Sequence, residues 1–223
     1  MNFLLINSGD SDPLVAFGRS GNISVSRTSD FTEVSPPGSK KPDKLIHCLS
    51  KIAGENDLNT IEAISVTIGP GSFTGIRVGI SIAKGLAFGI DRKIIPINNF
   101  NLCLNRLGEI SPEKKYFVLI PAKLPEYYWA VIKNNVTLDS GCTIPENLAG
   151  IIEKDTLVVG DFDDESLIKH YYFKYINVKN LKNELDSMLE LTQKGYDSGQ
   201  AAEEIEPLYI KNFNTRKITK REY

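Results

Sequence analysis

Cysteine and histidine are scarce in this 223-residue chain. Cys48, Cys103 and Cys142 are far apart and odd in number. That excludes a disulfide framework, and no two of them stand at metal-ligand spacing. His47 and His170 are the only histidines, so there is no His-x-x-x-His pair. No apolar run approaches the roughly 20 residues of a membrane span. The opening MNFLLINSGD carries a short apolar stretch without a basic flank, which does not read as a signal peptide. These absences lead us to expect a reducing cytoplasm and no membrane association. Charge is nearly balanced, 26 Lys and Arg against 28 Asp and Glu, a formal −2. A globally basic coat for nucleic acid is excluded, and a local basic patch is not. With 41% hydrophobic residues the chain is long enough for one large or two small domains with their own core, and disorder, collagen and coiled coil are excluded.

Short apolar runs punctuated by turn residues predict strands over Phe3–Asn7, Leu14–Phe17 and Ile23–Val25. A polar loop follows, Ser29–Lys40. Leu45, Ile46, Leu49, Ile52 and Ala53 fall at helical spacing, with Asp43 at the start and Gly54 as a stop. Ile61–Ile68 reads as a buried strand, Ile94–Ile97 as a shorter one, and Phe100, Leu104 and Leu107 as a helix halted by Gly108. A second series then begins. Tyr116–Ile120, Tyr127–Ile132 and Val136–Leu138 read as strands, with Asn134-Asn135 as a hairpin turn. Ile144–Ile152 reads as a helix, Leu157–Val159 as a strand and Leu181–Leu191 as a helix. Three strands, helix, strand, helix therefore occurs twice, with a seam near residues 97–112. The expectation is two mixed α/β halves, residues 1–100 and 101–210, and a basic tail, 211–223.

The most informative stretch is SVTIGPGSFTGIRVGISIAKGLAFG, Ser65–Gly89. A strand ends, Gly69-Pro70-Gly71 turns the chain, and Ser72 is an N-cap for the helix beyond. The Walker A template fails because Ile76 follows Gly75. The dinucleotide template fails because Thr74 replaces its last glycine. Free amides at a helix start still suit an anion, so phosphate binding and a plain tight turn both stand. At about 100° per residue, Phe73, Ile76, Ile80, Ala83, Ala87 and Ile90 share one arc. Gly75, Val78, Gly79, Ile82, Leu86 and Gly89 fill most of the opposite arc. Only Thr74, Arg77, Ser81 and Lys84 form a polar stripe, which Phe88 also enters. A sheet-covering helix should wet one face. Gly75, Gly79, Gly85 and Gly89 each cost about 0.8–1 kcal/mol of helix propensity. Either the Leu45–Ala53 helix covers the second arc or another protein chain does.

The block GPGSFTGIRVGISIAKGLAFG resembles the signature of the bacterial TsaB (YeaZ) family. Pro42-Asp43-Lys44-Leu45, Ala122-Lys123-Leu124-Pro125-Glu126-Tyr127-Tyr128 and Glu206-Pro207-Leu208-Tyr209-Ile210-Lys211 resemble further elements of that family. The resemblance implies a duplicated ribonuclease-H-like fold of the actin and sugar-kinase superfamily. It implies a non-catalytic scaffold in making threonylcarbamoyladenosine beside the anticodon of tRNA. It also implies partners: TsaD, a larger homologue that carries the catalysis, TsaE, an ATPase, and a second copy of the chain when it is alone. The contact residues on that reading are Gly69, Pro70, Gly71, Ser72, Phe73, Thr74, Gly75, Ile76, Arg77, Gly79, Ile80, Ala83 and Lys84, with Leu45 and Leu49 of the preceding helix.

The chain departs from that pattern where superfamily enzymes handle metal and phosphate. The family's Asp-Thr-Ser at the first strand end is Asn7-Ser8-Gly9, and asparagine brings no charge to anchor magnesium. The matching aspartate of the second half is Pro121, and the family arginine is Lys123, which loses bidentate recognition. We therefore expect no cofactor, no metal and no catalytic residue, with Asn7, Ser8, Pro121 and Lys123 marking a degenerate nucleotide site. Asp10 and Asp12 are the nearest replacements. The alternative is a nucleotide-dependent phosphotransferase or ATPase of the same superfamily, resting on the glycine turn. No Ser-His-Asp set supports a peptidase. His47 and Cys48 are adjacent on a helix and point apart, so Cys48 reads as core. Tyr127 and Trp129 share one strand face and Tyr128 the other, so at least one face is core rather than a base-stacking platform. Lys211, Arg216, Lys217, Lys220 and Arg221 form either a solvated tail or a weak contact to tRNA phosphates.

Overall fold

The computed structural model describes residues 1–19, 21–31, 41–123, 125–153, 156–161, 174–179, 181–202 and 204–210. The basic tail, His170 and most of the polar loop expected over Ser29–Lys40 lie outside the described residues. The first half runs β1 (Asn2–Asn7), β2 (Leu14–Arg19), β3 (Asn22–Arg27), α1 (Lys41–Glu55), β4 (Ile61–Gly69), α2 (Phe73–Ile90) and β5 (Lys93–Asn98). Helix α3 (Asn99–Asn105) leads to β6 (Lys115–Pro121), β7 (Tyr127–Lys133), β8 (Val136–Thr143), α4 (Leu148–Ile151), β9 (Leu157–Gly160), β10 (Tyr175–Asn177) and α5 (Glu184–Asp197).

The strands form two five-stranded sheets, ordered β3-β2-β1-β4-β5 and β10-β9-β6-β7-β8. Renumbered within its own half, the second sheet has the order of the first. The pairing senses also match: β1–β2 and β6–β7 are antiparallel, β1–β4 and β6–β9 parallel. This is the duplicated, ribonuclease-H-like α/β arrangement of two mixed-sheet halves that the sequence led us to expect. Its central strand β1 is buried on both faces, as a strand covered on both sides must be. Leu4 and Ile6 face α1 and α2 through Leu45, Cys48, Ile52, Ile76, Ile80, Ala83 and Ala87. Phe3 and Leu5 face α3 and α5 through Leu102, Leu185, Met188 and Leu189.

Helix α3 joins the halves. Leu102 enters the first core, while Phe100, Cys103 and Leu104 pack on Tyr116, Val118 and Val159 of the second sheet. The chain then returns. Helix α5 lies on β5 and β1, Ala202 N–H donates to Ile94 O at 3.0 Å, and Leu208 N–H donates to Ile68 O at 2.8 Å. Although they come after the second sheet in chain order, Glu184–Asp197, Ala202 and Leu208 pack on the first half.

Some local expectations needed correction. The helix expected over Ile144–Ile152 is a 3-10 turn, Pro145–Asn147, followed by the single turn of α4. Strand β8 runs on to Thr143, where Gly141 leaves room for the Trp129 ring that a Cβ would meet at 2.7 Å. Leu181 lies outside α5, which begins behind an Asn183 cap. Strand β10, flanked by residues of weak periodicity, carried no sequence signal.

Candidate functional site

The glycine turn is packed against its own chain. Ser72 caps α2, its Oγ accepting from Gly75 N–H at 3.2 Å. Ser72 N–H donates to Gly9 O at 2.9 Å, so the β1–β2 turn lies across the start of α2. A Cβ on Gly71 would stand 2.5 Å from Gly9 O, and one on Gly75 2.0 Å from Ser8 O. At Gly79 it would stand 2.0 Å from Ser8 Oγ. Three of these glycines therefore exist to let Ser8 and Gly9 approach the helix. Gly69 has φ +112 and precedes the cis peptide to Pro70, whose carbonyl accepts from Asn99 Nδ2 at 2.8 Å. At the helix start the Ser72 N–H is thus taken by the Gly9 carbonyl and the Gly75 N–H by the Ser72 hydroxyl.

The faces of α2 sort differently from the expectation. Ile76, Gly79, Ile80, Ala83 and Ala87 are buried against the sheet and α1. Leu45 of α1 is buried in the same core. Ile76, Gly79, Ile80, Ala83 and Leu45 were expected to meet a partner; they are internal because α2 must cover β1 and β4. Val78, Ile82 and Leu86 of the second arc, with Leu49 of α1, are partly buried on that core. The same-chain explanation of the second arc is therefore half right. The outward sector is the stripe read as polar, Thr74, Arg77, Ser81 and Lys84 with Phe88, joined by Phe73 of the first arc and with Gly85 and Gly89 beside it. Phe88 is 92% exposed, and a Cβ at Gly85 or Gly89 would meet nothing within 4 Å. By length and composition α2 qualifies as a membrane span, yet its buried stripe makes it the cover of a sheet.

The strand-end site is built around asparagine. Asn7 and Ser8 are buried. Asn7 Oδ1 accepts from Thr67 Oγ1 at 3.0 Å and from Gly9 N–H at 3.3 Å. Asn7 Nδ2 donates to a carboxylate oxygen of Glu184, the first residue of α5. Desolvation pushes the Glu184 carboxyl above its ordinary range. Asp10 pushes it the same way, while Arg106, Arg27 and the Asn7 amide oppose them. An aspartate at position 7 would face Glu184 as a second negative charge. Arg106, at the end of α3, pairs with Asp161 beyond β9 and donates to the Lys179 carbonyl at 3.1 Å and the Lys182 carbonyl at 3.3 Å. Nearby Cys103 is buried, and desolvation lifts its thiol to about 12.

The second half repeats the position without the chemistry. Pro121 ends β6 opposite Tyr127, as Asn7 ends β1 opposite Leu14. Pro121 and Lys123 are exposed. Asp12 is engaged elsewhere, accepting from Thr28 Oγ1, Ser29 N–H and Ser29 Oγ at 2.9 Å each. Asp10 is exposed and accepts from Ser11 N–H at 2.6 Å. No three His, Cys, Asp or Glu among the described residues are grouped to hold a metal ion. Cys48 is buried, as read. Trp129 stacks on Phe117 at 5.5 Å and Tyr128 packs on the other core, so both faces of β7 are used internally.

Sequence reasoning missed Glu184, Arg106 and Asp161, which carry no local motif and meet only through the fold. A family model for TsaD, tRNA N6-adenosine threonylcarbamoyltransferase, matches residues 41–142. A Haemophilus influenzae protein, tRNA threonylcarbamoyladenosine biosynthesis protein TsaB, is 32% identical over 186 residues, covering 74% of this chain and 77% of that protein. The chain belongs to the TsaB family. The Escherichia coli TsaB protein is 36% identical over 73 residues, 33% of this chain and 32% of that one. In solved structures the fold is matched by YeaZ from Pseudomonas aeruginosa, with a TM-score of 0.66 at 19% identity, covering 93% of this chain and 99% of that one. A second Pseudomonas aeruginosa structure, of a protein with similarity to peptidase YeaZ, gives 0.68 at 19% identity over 94% and 99%.

Proposed function

We propose that this chain is a cytoplasmic, non-catalytic scaffold subunit in tRNA threonylcarbamoyladenosine biosynthesis, one that docks a TsaD-like catalytic homologue on α1 and α2. The observation that carries this is the outward sector of α2: an almost fully exposed Phe88 beside Gly85 and Gly89, where an added Cβ would meet nothing within 4 Å among the described residues. A helix that loses about 0.8–1 kcal/mol per glycine needs a reason for each one. The β1–β2 turn supplies that reason at Gly75 and Gly79, and a partner backbone supplies it at Gly85 and Gly89. Phe73, Thr74, Arg77 and Lys84 belong to this face, with Leu49 at its margin. Gly69, Pro70, Gly71, Ser72 and Gly75 act through it by seating the helix start.

The same face pairs two copies when the chain is alone, and a TsaE-like ATPase joins the complex, with tRNA contacted weakly or through the partner. Asn7, Ser8, Pro121 and Lys123 are a site that has given up nucleotide chemistry. The Glu184 carboxylate stands against the polar end of β1, where a phosphate would be repelled. Replacing exposed Phe88 with Glu leaves the fold intact and abolishes co-elution with the TsaD-like subunit. Replacing buried Ile80 with Glu unfolds the chain. Retained co-elution of folded Phe88→Glu would defeat the docking reading. Tight calorimetric binding of ATP and magnesium to the lone chain would defeat the non-catalytic one and favour a phosphotransferase or ATPase.

A further inference from the structure

Two distant sequence elements meet at the first turns of α2. Arg77 lays its guanidinium over the Phe73 ring, 3.9 Å from the centroid. Its Nε donates to the Tyr209 hydroxyl at 2.6 Å. The Phe73 and Tyr209 rings are 5.5 Å apart, tilted by 36°. Tyr209 is held there by the chain segment that returns from the second half, with Leu208 N–H on Ile68 O at 2.8 Å. Among the described residues no carboxylate pairs with Arg77. Its two terminal nitrogens have no acceptor among them either. A bare, solvent-facing arginine is ordinary; one stacked on an aromatic ring and held by a second is pre-organised, with its bidentate edge left open.

We propose that Arg77 is the receptor for a carboxylate side chain of the docked protein subunit, and that Tyr209 is its positioning residue. The inference rests on the docking of a partner at α2 and adds the chemistry of one contact on that face. A planar guanidinium fork matches a carboxylate with two parallel N–H···O bonds. Its surroundings are those of a protein interface: Phe73 and Tyr209 flank it, and Phe88 lies on the same sector of the helix, whereas interface centres favour aromatics and arginine. A polynucleotide backbone would need several cations in a row. Lys84, two turns along, is the other cation on this sector of α2.

The test measures the affinity of the TsaD-like subunit for the full chain and its variants by calorimetry, each variant first checked for an unchanged thermal midpoint. Arg77→Gln and Arg77→Lys are expected to weaken binding about tenfold or more, because neither offers the fork. Tyr209→Phe should weaken it about threefold, and Arg77→Gln/Tyr209→Phe no further than Arg77→Gln alone, since Tyr209 acts through Arg77. Additive losses in the double variant would overturn the positioning role. Full affinity in Arg77→Gln, with binding abolished in Phe88→Glu, would overturn the carboxylate receptor and leave the docking face standing. Full affinity in both would overturn docking itself. Unchanged protein affinity with weakened tRNA binding in Arg77→Gln would overturn the carboxylate in favour of a phosphate.

Discussion

The two glycine pairs of α2 should respond to alanine with opposite signs. At Gly85 and Gly89 a Cβ meets nothing within 4 Å, so alanine gains helix propensity at no steric cost. That gain is about 0.8–1 kcal/mol per site, or about 1.5–2 kcal/mol for both. In a chain of this size 1 kcal/mol corresponds to about 2–4 °C, so Gly85→Ala/Gly89→Ala should raise the thermal midpoint of the lone chain by about 3–8 °C. At Gly75 the added Cβ would lie 2.0 Å from the Ser8 carbonyl oxygen, and at Gly79 2.0 Å from Ser8 Oγ. Relief means moving the β1–β2 turn by more than about 1 Å, a strain of about 1–3 kcal/mol or more. That turn is tied by Ser72 N–H to Gly9 O at 2.9 Å and by Ser8 N–H to Thr67 Oγ1 at 3.3 Å. The net effect of Gly75→Ala is destabilising, and Gly79→Ala is milder because a hydroxyl can rotate. Thermal and urea melts of the four single variants and the double variant read this directly. The docking proposal adds a second axis: the double variant should bind the TsaD-like subunit more weakly while being more stable alone. A loss of stability at Gly85 or Gly89, or none at Gly75, would refute the reasoning.

Glu184 gives a pH test. Its folded carboxyl titrates above the unfolded value of about 4.3, so the stability linked to it is present below that pH and is lost as pH rises through the folded value. Glu184→Gln keeps an acceptor for Asn7 and removes the charge. Its midpoint should equal that of the parent near pH 4 and exceed it near pH 7; the reverse order would contradict the burial argument. Cysteine reactivity gives a structural one. Cys48 and Cys103 are buried with thiols raised by desolvation, and Cys142 is half-buried, so native alkylation followed by mass spectrometry should label Cys142 first.

Much of the fold was legible because its signals are local. Among the described residues, alternation and turn residues marked every strand but β10, with β8 cut short, and Asn134 and Asn135 both take the positive φ a tight hairpin demands. Ser72 announced the start of α2 through its capping chemistry. The order of the two sheets was not legible strand by strand; it entered through the resemblance of one block. The faces of α2 were misjudged for a physical reason. Periodicity divides a helix into arcs but does not say which arc meets the sheet, and here the short polar stripe and Phe88 face outward together. Glycine on a helix likewise carries no direction: Gly75 and Gly79 answer to Ser8, whereas a Cβ on Gly85 or Gly89 would meet nothing within 4 Å among the described residues.

The strand-end site was legible only as a loss. From sequence, Asn7 is a missing aspartate; in the fold it is half of a pair. Glu184 arrives from a segment 177 residues away and accepts from the Asn7 amide. The substitution and the glutamate explain each other. A carboxylate at position 7 would repel Glu184, and Glu184 without the amide would be a desolvated charge short of a donor. In this chain the strand end ties α5 to β1 through the Asn7–Glu184 pair. Because α5 also carries Leu185, Met188 and Leu189 into the first core, that tie steadies the sheet on which α2 rests. In this way the strand end supports the rigid seating of the outward helix face.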